Sequence, residues 1–265
     1  MKHQVIKKER TEQERLDYLN QVLGTDYKSL DEVDLYCVSR HKQLSEDFIR
    51  EFADYVNWHY ISRYQTLSED FICEFQDRVD WDCISMYQDL SNDFIREYAH
   101  KIDWKMVSAC WILSEDFIRE FSYYVDWKEI SENQTLSEDF IREFQNKVDW
   151  ERISQYQQIS DDFIREFADD VDWWCISLEK SLSEDFIREF SDYVDWENIS
   201  QNQTLSEEFI REFADYVDWW RISREQKLSE DFIREFQNKV CWYQISQCQT
   251  LSEDFRKEFA NRINK

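Results

Sequence analysis

Between Leu136 and Gln158 apolar and polar positions follow a rhythm that predicts two helices in succession. Phe140, Ile141, Phe144 and Val148 recur at steps of three and four, so they line one side of a helix of about ten to twelve residues. Ser137 precedes the run, where its hydroxyl can accept from a free backbone N–H of the first turn. Glu138 and Asp139 follow at the positive end of the helix dipole. Asp149 repeats the capping chemistry. Trp150 and Ile153, three apart, then mark the inner face of a second helix of about seven or eight residues.

This pattern returns every 23 residues, with its opening apolar residue at Leu44, Leu67, Leu90, Leu113, Leu136, Ile159, Leu182, Leu205, Leu228 and Leu251. The capping serine is present in all ten copies, from Ser45 to Ser252. All nineteen phenylalanines fall in the two Phe slots, and Tyr98 fills the twentieth. Nine tryptophans, from Trp58 to Trp242, follow the second cap, which is Asp from Asp80 to Asp218, Asn57 in the first copy and the poorly capping Cys241 in the ninth. Large residues at helical spacing are core, and a unit this short cannot bury its apolar face alone. The expected fold is therefore all-α: an α-solenoid of helix-turn-helix repeats.

Residues 44–250 make nine tandem αα repeats. Residues 251–265 read as a C-terminal capping half-repeat, because Arg256 stands where the other copies have Ile. Residues 1–43 read as an N-terminal helical cap. Ile6, Leu16, Leu19, Val22 and Leu23 suggest an amphipathic helix stopped by Gly24, and Val33 to Ser39 resembles a worn second helix.

Composition narrows the partners. One glycine and no proline leave little for hairpins, while 42% hydrophobic and 17% aromatic residues argue against disorder. A net charge of −26 disfavours nucleic-acid phosphates and anionic lipid, and fits basic or apolar-surfaced proteins better. Neither a signal peptide nor an apolar run of ~18 residues is present, so a soluble, cytoplasmic protein is expected. Seven cysteines without Cys-x-x-Cys pairs read as free thiols. The four histidines share no spacing, and neither phosphate loops nor zinc-type clusters occur. The chain is expected to have no catalytic residue, metal, cofactor or small-molecule substrate, and no direct contact with nucleic acid or membrane.

Comparing the copies with one another separates fixed positions from free ones. Variation concentrates on the second helix, at the first and second residues after Trp and the second and third after Ile, offsets that share the face opposite the core. Drift of exposed positions after duplication is the plain reading. Yet the row holds Trp, Tyr, Met and Arg, the types enriched in interfaces. The expected partner contacts are Tyr60, Tyr64, Tyr87, Met106, Tyr156, Trp174, Trp220 and Tyr243.

The phrase Leu-Ser-Glu-Asp-Phe-Ile-Arg-Glu-Phe, followed by Val-Asp-Trp-x-x-Ile-Ser, resembles tandem repeats encoded by large DNA viruses and some phages. The resemblance covers residues 44–265 and implies a viral or host-cytoplasmic setting, with no activity and no functional residue to carry over. Three functions fit: a non-enzymatic scaffold binding proteins through its variable face, an acidic decoy imitating nucleic acid for basic DNA-binding proteins, or a virion structural component.

Overall fold

The computed structural model describes residues 10–41 and 43–263; Ile6 and His3 lie outside them. The described residues form 22 α-helices and one short 3-10 helix, with no strand among them. Their regular helix pairs make an α-solenoid. The chain divides into two compact units, residues 1–126 and 127–265. In each, the second helices of successive repeats pack side by side.

The caps behave as their chemistry requires. Ser137 accepts from the Phe140 N–H and Asp149 from the Arg152 N–H, the latter at 3.2 Å. Cys241 makes no side-chain cap. Cys241→Asp is therefore expected to raise unfolding free energy by about 1 kcal/mol in urea denaturation. A null effect would mean that the N-cap contributes nothing to that helix.

The first helix of each repeat is shorter than the apolar stripe implies. It spans Glu138–Glu143, and Phe144 leaves the helical region at φ −112°, ψ 24°. A separate turn follows, in which the Val148 N–H reaches the Phe144 carbonyl at 3.1 Å, so Val148 is still buried. The break has a use. It frees the Gln145 carbonyl, which accepts from the Trp150 indole N–H at 3.1 Å. The second helix, Trp150–Tyr156, has the expected seven residues.

The core is shared between repeats rather than contained in each. The Trp196 ring lies 6.3 Å from Phe209 and 4.9 Å from Phe213, both in the following repeat. Isoleucines of the first helix, such as Ile187 and Ile210, are fully buried, and Arg256 at the same slot is exposed.

Two polar side chains stitch most repeats to their neighbours, Trp111 and Lys180 replacing the second in two copies. From Ser62 to Ser223 the serine of each second helix is buried and accepts from the N-cap N–H of the next repeat: Ser62 from Asp80 at 2.9 Å, Ser200 from Asp218 at 2.9 Å. A buried glutamine after the second helix does the reverse. Gln226 accepts from the Leu205 N–H at 3.0 Å and donates to the Gln203 and Ser200 carbonyls at 2.7 and 3.1 Å. These bonds satisfy loop backbone groups that would otherwise be buried without partners.

An exposed arginine–glutamate ladder runs along both units, with Arg50–Glu74 at 2.7 Å in the first and Arg188–Glu212 and Arg211–Glu235 at 2.8 Å in the second. Such exposed pairs contribute little individually. At the front, α1 (Glu12–Leu23) takes the place of a preceding repeat. Thr11 and Glu14 form a capping box, Gly24 closes the helix at φ 68°, and Arg15 reaches Glu51 at 2.8 Å. Leu16, Leu19 and Leu23 face the core, but Val22 is exposed, contrary to the amphipathic reading. In α2 (Leu35–His41), Ser39 makes the serine link to the Asn57 N–H.

Candidate protein-binding face

The variable slots sit on short second helices whose orientation is fixed from below. Trp and Ile anchor one side to the core, and the buried serine ties the helix to the next repeat. Side chains at the first residue after Trp and the third after Ile are left pointing outward.

Six of the eight nominated residues are exposed. They range from 42% for Tyr64 and Trp220 to 68% for Tyr243, with Tyr87, Tyr156 and Trp174 between. Tyr60 and Met106 are half-buried. Both occupy the second position after Trp, which the helix offsets placed on the open face. Because second helices pack side by side, this position points into the seam between neighbours. Cys83, Cys175, Asn198 and Gln244 are buried at the same slot.

Guanidinium groups lie over several exposed rings. Arg224 is 5.2 Å from the Trp220 ring, and Arg63 is 5.3 Å from Tyr64 and 5.0 Å from Tyr87. These contacts hold the aromatics against the surface, which limits the entropy lost on binding.

Near Tyr87 the surface forms a hollow of about 410 Å³ lined by Met86, Tyr87, Leu90, Trp111 and Ile112 among others. Ile112 is fully exposed. Sequence reasoning missed this patch, although a signal was there. Trp111 stands at the position of the stitching glutamine, and Ile112 follows where other copies have mostly polar residues.

A second missed position is the residue before the buried valine. In most copies a cation or a tyrosine there covers the preceding repeat's tryptophan, with Asp170 an exception. Lys101 lies 5.4 Å from the Trp81 ring and Arg262 5.5 Å from Trp242. Tyr193 lies 5.4 Å from Trp173 and Tyr216 5.5 Å from Trp196. The residue types alternate so widely that the column reads as free, yet most of them share this covering role.

The seam also brings together three residues that the sequence keeps apart. His59 Nδ1 is 2.7 Å from Asp80 Oδ2 and 3.5 Å from Cys83 Sγ. Burial, and then the charge of Asp80, push the Cys83 thiol up to about 11. Burial likewise raises Cys175, to about 12. Neither thiol is an activated nucleophile in this state. No protein family, curated protein or solved structure matches this chain.

Proposed function

We propose that this protein is a non-enzymatic repeat scaffold that binds a protein partner through the exposed residues of its second helices. The observation that carries the reading is the set of six large aromatic side chains exposed on those helices: Tyr64, Tyr87, Tyr156, Trp174, Trp220 and Tyr243. The recurrent Phe and Trp columns of the repeat, by contrast, are taken up by the shared core. Aromatic rings with arginines beside them are the usual anchors of protein interfaces. The hollow where Met86, Tyr87 and Ile112 stand beside Gln88 and Asp89 offers a further seat for a partner side chain. The resemblance to viral repeats adds a host-cytoplasmic setting to the proposal.

A second reading draws on the net charge of −26: an acidic decoy that occupies basic DNA-binding proteins. The two differ in what holds the partner. Affinity capture from cells with the wild type, run beside a variant carrying Trp174→Ala, Trp220→Ala and Tyr156→Ala, separates them. The scaffold reading expects the variant to lose the specifically captured protein. Retention of every captured protein by the variant would remove it.

A further inference from the structure

We propose that His59, Asp80 and Cys83 form a binding site for one divalent metal ion of the zinc class. Their donor atoms, an imidazole nitrogen, a carboxylate oxygen and a sulfur, all lie within 4.8 Å of one another. A tetrahedral ion at ordinary zinc–ligand distances needs its nitrogen and sulfur donors about 3.5 Å apart, and its nitrogen and oxygen about 3.3 Å apart. The His59 Nδ1 to Cys83 Sγ separation is already 3.5 Å. The His59 to Asp80 separation of 2.7 Å must open by about 0.6 Å, a small rotation for an exposed histidine.

The surroundings favour ligation. Asp80 Oδ1 is held by the Cys83 N–H at 3.1 Å, which orients the carboxylate and leaves Oδ2 to face the histidine. Cys83 is buried at the seam and His59 is exposed, so the ion would be held from below with a fourth position open to solvent. A mixed nitrogen, oxygen and sulfur set suits zinc-like ions and excludes calcium and magnesium, which take oxygen ligands. Arg63 and Asp82 also act on the thiol, with opposite charges. On binding, the thiol proton leaves to solvent and the metal–sulfur bond takes its place.

The site comes from the stacking geometry, and other copies of it carry different chemistry. The positions of His59 and Cys83 are occupied six repeats later by Glu197 and Arg221, which form an ion pair. Glu151, Asp172 and Cys175 occupy the same three positions without an imidazole.

Co²⁺ added to the reduced full chain, with excess Mg²⁺ to cover surface carboxylates, reads the site through thiolate-to-cobalt charge-transfer absorption. One equivalent should saturate the band, and Zn²⁺ should abolish it. Cys83→Asn supplies the residue that Asn198 provides at the same slot, so it should keep the helix content and lose the band. His59→Ala, at an exposed position, should weaken Co²⁺ binding about tenfold or more. Absence of a saturable thiolate band in the wild type, or its survival in Cys83→Asn, would overturn the proposal.

Discussion

Phe209→Ala is expected to lower unfolding free energy by about 4 kcal/mol, the largest effect of any single apolar truncation in its repeat. Phe209 is fully buried. Its ring meets Trp196 of the preceding repeat at 6.3 Å and Phe213 of its own at 4.8 Å, and the Arg188 guanidinium lies 5.0 Å away. Truncation thus removes apolar area and opens a cavity at the joint between two repeats, which neither can close alone. Phe213, only half-buried, should cost clearly less as Phe213→Ala. Urea unfolding of the two variants checks the ranking. Equal losses would mean that the two Phe slots share the core evenly.

The second large effect is expected from a polar residue. Gln226→Leu should destabilise by about 3 kcal/mol even though it makes the core more apolar. Gln226 is 5% exposed and serves three backbone groups, the Leu205 N–H at the start of its own repeat and the Ser200 and Gln203 carbonyls of the preceding one. Leucine would leave them buried without partners. Gln201→Leu on the neighbouring exposed position should stay within about 0.5 kcal/mol of wild type. If both glutamines behave alike in urea unfolding, the stitching role assigned to Gln226 is wrong.

The local physics of the repeat was legible in the sequence, and the physics between repeats was not. Ser137, Asp149, Phe140, Ile141 and Ile153 could be placed because caps and helical stripes act within a few residues. Reading in columns of 23 residues also isolated the second helix as the place of variation. What columns hide is that contacts between repeats run diagonally. Arg188 meets Glu212, Lys239 meets Asp215 and His59 meets Cys83, each pair 24 residues apart. The cover of Trp81 by Lys101, 20 residues away, and the His59–Asp80–Cys83 cluster, at offsets of 21 and 24, arise from the same kind of diagonal contact. The helix break at Phe144 was hidden for another reason. The turn after it keeps Val148 facing the core, so the stripe survives the break.

The proposed division of labour gives the fixed residues to neighbouring repeats and the exposed variable residues of the second helices to a partner. The most direct test is the dissociation constant of a captured partner for the wild type and for the Trp174, Trp220 and Tyr156 alanine variant, each at low and at moderate salt. The scaffold account predicts a loss of about tenfold or more in the variant at both salt concentrations, with little change in the wild type between them. Equal binding by both proteins, collapsing together as salt rises, would contradict it and leave the acidic decoy in its place.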